Sequence, residues 1–99
     1  MSEQVKIDEE IKVDISEPGH YNVIFLNDDV TPMDWVVKML MEIFHHSEGE
    51  SMSLTEKIHT KGSAVVGNFM FEIAEQKMNE TMDMSRKYGF PLQVEIQQE

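Results

Sequence analysis

The chain contains no cysteine. That excludes disulfides, thiolate metal sites and a cysteine nucleophile, and it fits a reducing compartment. Basic charge is also scarce: eight Lys and Arg against nineteen Asp and Glu leave a formal net charge of −11. Such a chain has no basic stripe to neutralise phosphates, so nucleic acid is excluded as a partner and anionic membrane surfaces are disfavoured. The partner such a field attracts is a basic protein or a cationic group. No apolar run approaches the roughly 18 residues needed to span a bilayer. Met1-Ser-Glu-Gln-Val-Lys carries no apolar core of a signal peptide, so the expected location is cytoplasmic. At 99 residues the chain makes one domain at most, large enough to bury a core but not a large internal active-site cavity as well.

What is present divides into an acidic arm and a patterned body. Residues 1–19 hold six acids and two lysines, no aromatic residue, and end at Pro18-Gly19. Ile11, Val13 and Ile15 alternate with polar residues, but nothing obvious pairs with them, and a mobile extension is expected. Residues 20–99 form the core domain. A strand is predicted over 20–27. Thr31-Pro32-Met33-Asp34 then reads as a helix start, with Thr31 as N-cap, Pro32 at N1 and Asp34 at N3. This helix is predicted to run to about His46, with Val36, Val37, Leu40, Met41 and Phe44 on one face and Ser47-Glu48-Gly49 ending it. A shorter helix over 50–60 carries Leu54 and Ile58 and stops at Gly62. Ser63-Ala-Val-Val-Gly67 reads as a short strand with Gly67 as a bend or close-approach point. Residues 69–88 make the longest helix, with an inner stripe of Phe71, Ala74, Met78 and Met82 flanked by Ile73 and Met84. Gly89 is placed just past its end, and Leu92-Gln-Val-Glu-Ile96 is the last strand. The order β-α-α-β-α-β defines an α+β fold, a small three-stranded antiparallel sheet packed against three helices.

The chemistry concentrates where the first strand ends, at Asn27, Asp28 and Asp29, with His59 on a different element. An amide oxygen, carboxylates and a neutral imidazole nitrogen are acceptors suited to an ammonium group, which has three donors and no acceptor. The plain alternative is a polar turn leading into a capped helix. Two enzyme readings are disfavoured by chemistry. An apolar strand followed by Asp-x-Asp-x-Thr marks aspartate-nucleophile phosphatases, but the nucleophile position here is Asn27, which cannot form an aspartyl-phosphate. A phospho-acceptor receiver needs alternating parallel β-α units and more chain. His45 and His46 point about 100° apart on a helix and do not share a metal ion readily; they read as dipole partners at a helix C-terminus. His20 is expected at the surface. Lys77, between Ile73 and Thr81, reads alone as a snorkelling lysine. The nine Met residues read as adaptable core, except Met33, which follows the acceptor cluster closely enough to line a pocket. No enzyme activity, cofactor or metal is expected.

Leu26-Asn-Asp-Asp-Val-Thr-Pro-Met33, Ile58-His-Thr-Lys-Gly62, Ala64-Val-Val-Gly67, Ala74-Glu-Gln-Lys77 and Pro91-Leu92 together resemble the ClpS adaptor family, over about residues 20–97. The resemblance implies an N-degron adaptor, which binds the N-terminal residue of a substrate, with Phe, Tyr, Trp and Leu preferred. It delivers that substrate to a Clp-type AAA+ unfoldase, ClpA-like or ClpC-like, working with the ClpP peptidase. By matching position, Asn27, Asp28 and His59 would hold the α-amino group, directly or through water. Asp29 and Thr31 would shape the mouth. Met33, Val36, Thr55, Ile58 and Leu92 would line the side-chain pocket, with Met33 as a gate against β-branched residues. Glu72 and Lys77 would face the unfoldase, and residues 1–19 would be the extension used in delivery. The chain departs from the family pattern at Thr55, commonly a larger apolar residue and usually Met, which implies a roomier or more polar pocket. Glu56 and Lys57 follow where the family is more apolar, Ser63 replaces a common Lys, and Met70 stands at a helix start where a hydroxyl cap is usual, leaving Asn68 as the alternative cap. Two other readings stay open: a regulator or inhibitor of the unfoldase without degron binding, and a small Asp-based phosphotransfer enzyme.

Overall fold

The computed structural model describes residues 19–99. The expectations for residues 1–18, a mobile acidic arm used in delivery, lie outside the described residues. The elements are β1 (His20–Leu26), α1 (Met33–Glu42), α2 (Glu48–Lys61), β2 (Ser63–Met70), α3 (Phe71–Lys87) and β3 (Gln93–Gln98), the predicted β-α-α-β-α-β order. β1 is the central strand, paired antiparallel with β2 on one side and β3 on the other. Alternation decides which face is buried. Val23 and Phe25 of β1, Ala64 and Val66 of β2, and Val94 of β3 enter the core, while Val65, Gln93 and Glu95 point out. The helices supply the rest of the core, led by Met39 and Leu40. Phe25, Met39, Leu40 and Leu92 are fully buried, each contributing about 1.5–3 kcal/mol of transfer free energy.

The β1–β2 register slips between Val23, opposite Gly67, and Ile24, opposite Val65. Val66 is the extra residue of a β-bulge. Its carbonyl, released from the ladder, accepts a 2.6 Å hydrogen bond from His46 Nε2. Gly67 is a close-approach point as expected: a Cβ there would fall 2.6 Å from the Phe69 ring. The strand continues past Gly67 to Met70, because the bulge restores the pairing of Asn68, Phe69 and Met70 with the start of β1.

Several helix boundaries differ from the sequence reading. Thr31 does not cap α1. Its N–H and hydroxyl both donate to Asp28, and Pro32, extended at φ −65 and ψ 145, takes the N-cap position without a side-chain bond. Helix α1 ends at Glu42, not His46, because His45 turns left-handed at φ 61 and His46 N–H bonds back to Leu40 O at 3.1 Å, a Schellman-type stop. Its buried face is Trp35, Val36, Met39 and Leu40. Met41, expected inside, is exposed, and Trp35 buries because its Nε1–H finds Ser85 Oγ at 2.9 Å. Ser47 does not close α1; it opens α2, accepting from Glu50 N–H. On α2 the buried face is Ser51, Thr55 and Ile58, with Leu54 only half-buried. Gly62, at φ 93, ends α2 as expected. Helix α3 buries Ala74 of the predicted stripe fully and packs Met78, Met82 and Met84 half-buried against the core, while Phe71 and Ile73 are exposed and Thr81 and Ser85 are buried beside them. The two hydroxyls sit inside because they bond to carbonyls one turn back, Thr81 to Lys77 and Ser85 to Thr81. Asn68 does not cap α3; its side chain is spent on Asn22, Glu99 and His20.

Candidate functional site

The loop between β1 and α1 is built around Asp28. One carboxylate oxygen accepts from Val30 N–H at 2.8 Å and Thr31 N–H at 2.6 Å; the other accepts from the Thr31 hydroxyl at 2.8 Å. This Asx-type turn follows from a short acidic side chain placed just before a helix start. Burial pushes the Asp28 carboxyl up, but the Thr31 and Val30 hydrogen bonds and the nearby Arg86 charge outweigh it and hold the group below its ordinary value of 3.8. Arg86 is itself fixed, donating to the carbonyls of Phe90 and Leu92 and to Gln93 Oε1. It therefore locks the turn that delivers Leu92 to the same region.

The end of β1 is tied to α2 through one backbone bond, Asn27 N–H to Gly62 O at 2.9 Å. Because Gly62 follows His59 by three residues, this bond holds Asn27 beside the last turn of α2. The result is a narrow slot of about 10 Å³, room for about one water molecule, lined by Leu26, Asn27, Asp28, Thr31, Met33, Val36, Thr55, Ile58, His59 and Leu92. Asn27 and His59 are exposed at the rim. Val36, Thr55, Ile58 and Leu92 form buried walls. Met33 is 44% exposed over the opening, and its three rotatable bonds make it a movable edge.

Of the residues singled out from sequence for the rim and pocket, the slot gathers Asn27, Asp28, Thr31, Met33, Val36, Thr55, Ile58, His59 and Leu92. Asp29 is exposed and not part of the lining. Leu26 was not anticipated; its place immediately before Asn27 was the available signal. Glu72 lies elsewhere, exposed in a trough with Gly19, Met70, Phe71 and Ile73. Lys77 does not snorkel freely. Its Nζ donates to Ile43 O at 2.7 Å and sits 5.7 and 5.3 Å from the Phe44 and Phe69 ring centres, so it closes the end of α1. Among the described residues no group of three His, Asp or Glu is placed to hold a metal ion, and no helix is long and apolar enough to cross a membrane.

Known proteins resemble this chain. Residues 16–95 match the family model for the ATP-dependent Clp protease adaptor protein ClpS. A curated Helicobacter hepaticus protein, the ATP-dependent Clp protease adapter protein ClpS, is 42% identical over 80 residues, covering 81% of each chain. The protein of the same description from Treponema denticola is 42% identical over 81 residues, covering 82% of this chain and 80% of its own. The solved structure of Agrobacterium tumefaciens ClpS2 bound to L-phenylalaninamide superposes with a TM-score of 0.81 at 37% identity, over 84% of this chain and 100% of that one.

Proposed function

The chain belongs to the ClpS family of Clp protease adaptors, and from that premise we propose that its slot reads the N-terminal residue of substrate proteins and hands them to a Clp-type AAA+ unfoldase working with ClpP. The observation that carries this reading is the composition of the slot: polar acceptors at the rim and apolar walls beneath, with one movable methionine between them. A free α-amino group is a cation with three donors. Asn27 and His59 offer it acceptors, and Asp28 offers an ionised carboxylate whose remaining lone pair is open to the amine or to a bridging water. The apolar walls take the attached side chain. L-phenylalaninamide, bound by the Agrobacterium tumefaciens relative, has this chemistry: a free amine, a phenyl side chain and an amide where a peptide bond would continue.

Charge-assisted hydrogen bonds contribute roughly 1.5–3 kcal/mol each, and one pocketed apolar side chain about the same. Two or three such hydrogen bonds together with one such side chain sum to about 5–10 kcal/mol before ordering costs, compatible with affinity near the micromolar range. Nothing in this role needs covalent chemistry. Asp28, the only acid among the described residues that line the slot, is committed to three hydrogen bonds within its own loop. The exposed Glu72 trough supplies the face for the unfoldase. The test is direct binding of a peptide with a free N-terminal Phe against its N-acetylated twin. The free peptide binds and the acetylated one loses at least about tenfold in affinity. Equal binding of the two would defeat the reading, because the rim would then have no cation to hold.

A further inference from the structure

We propose that Thr55 in the wall of the slot, with Ser51 enclosed one turn behind it, makes the inner end of the slot a hydroxyl site, so that the preferred N-terminal residue is tyrosine rather than phenylalanine. This rests on the reading of the slot as an N-terminal residue pocket. Ser51, Thr55 and His59 recur at intervals of four along α2 and share one face. Burial deepens steadily along that face. His59 is exposed at the rim, Thr55 is 3% exposed in the wall, and Ser51 is completely enclosed. The face therefore descends from the mouth into the core. One helical turn, about 5.4 Å, separates His59 from Thr55, close to the reach of a tyrosyl side chain from its Cα to its oxygen.

The hydrogen-bonding state of the two hydroxyls fits this occupant. The Thr55 hydroxyl donates its proton to Ser51 O at 2.8 Å, which leaves its oxygen as an acceptor only. The Ser51 hydroxyl is buried and bonds to nothing in the protein. An unpaired buried hydroxyl is costly to maintain. A phenol satisfies both: its O–H donates to Thr55 Oγ1, and its oxygen accepts from Ser51 Oγ–H. A phenyl ring satisfies neither. An apolar side chain at position 55 would reverse the balance, because the phenol would then be buried without a partner.

The experiment uses the full chain and two peptides identical except for a first residue of Tyr or Phe, each with an N-acetylated control, measured by calorimetry. The wild type binds the Tyr peptide about three- to tenfold tighter than the Phe peptide. In Thr55→Val, which keeps the shape and removes the hydroxyl, the Tyr-to-Phe ratio falls to about one or below. In Ser51→Ala, whose backbone carbonyl still holds Thr55, the ratio falls part of the way. Melting curves establish that both variants fold. A wild-type ratio of one or less overturns the proposal, as does a ratio that survives both substitutions. If neither free peptide binds, or the acetylated controls bind equally, the reading of the slot itself fails and this inference goes with it. A Phe-preferring or indifferent slot that still rejects the acetylated peptides removes this inference alone.

Discussion

The central strand ends in two different concavities. At its C-terminal end lies the slot of about 10 Å³, lined by ten residues drawn from β1, the loop after it, α1, α2 and the approach to β3. At its N-terminal end lies a trough of about 510 Å³ lined by Gly19, Met70, Phe71, Glu72 and Ile73. Seven residues of β1 separate them by roughly 20 Å. The larger concavity has the simpler wall: four of its residues are consecutive, and Met70 is 61% and Ile73 45% exposed. The smaller one is narrow, and its walls of Val36, Thr55, Ile58 and Leu92 are buried. If the slot takes the N-terminal residue of a substrate, volume is a poor guide to which end binds a small group. Convergence of distant residues on a rim of acceptors is a better one. The open apolar trough has the character of a surface that a macromolecule covers.

Asp28→Ala should separate the two ends most strongly. It removes three hydrogen bonds from the loop. A loss comparable to that of a helix cap, about 1–2 kcal/mol, lowers the melting temperature by roughly 5–10 °C, and peptide binding falls at least about tenfold. The pH dependence follows from the same group. Its folded pKa lies below the ordinary 3.8. Its contribution is therefore present above that value and is lost as the pH falls through the folded one. The melting difference between wild type and Asp28→Asn should be constant between about pH 5 and 7 and shrink only below 3.8. A difference that fades already near neutral pH would show that Asp28 does not brace the loop as an anion.

His59→Ala comes next, because it touches binding without touching the fold. His59 is exposed, so the melting temperature stays within a few tenths of a kcal/mol of wild type in free-energy terms. Affinity for a free N-terminal peptide falls about tenfold. A marked loss of stability with unchanged affinity would move His59 from the rim to the scaffold and weaken the contrast between the two ends of β1.

How far each region was legible from sequence follows the same contrast. The element order, the stop at Gly62 and the close approach at Gly67 were readable because they rest on local signals. Asn27, Asp28, Thr31, Met33, Val36, Thr55, Ile58, His59 and Leu92 line one slot, while Asp29, named with them from the resemblance, lies outside it. The inner faces of the helices were misread where a polar group buries by bonding. Thr81 and Ser85 are buried where Phe71 was expected and is exposed, because back-bonding to α3 carbonyls satisfies them, and Trp35 joined the core through Ser85. Apolar periodicity carries no trace of such pairings. Thr31 looked like a cap because nothing in the sequence says that Asp28, three residues earlier, claims both its N–H and its hydroxyl. The end of α1 at Glu42 depends on His45 accepting a left-handed backbone, which a histidine does not announce as a glycine would.

The smallest effects come from the pair first assigned together to the unfoldase face, Glu72 and Lys77, and the structure gives them different work. Lys77→Ala removes the cation that satisfies Ile43 O and covers Phe44 and Phe69. About 1 kcal/mol of stability goes with it, roughly 5 °C of melting temperature, and peptide affinity is unchanged because Lys77 is not in the slot. Glu72→Ala loses no intramolecular bond among those described, so both melting and peptide affinity stay at wild-type values. Only the rate at which a reconstituted Clp protease degrades an N-terminally tagged substrate should drop, by the few-fold that one exposed contact supports. If Glu72→Ala leaves that rate untouched, the trough is not the docking face, and the partner must be sought on another exposed surface. If it instead weakens peptide binding, the two ends of β1 are coupled, and the independence argued from their separate linings does not hold.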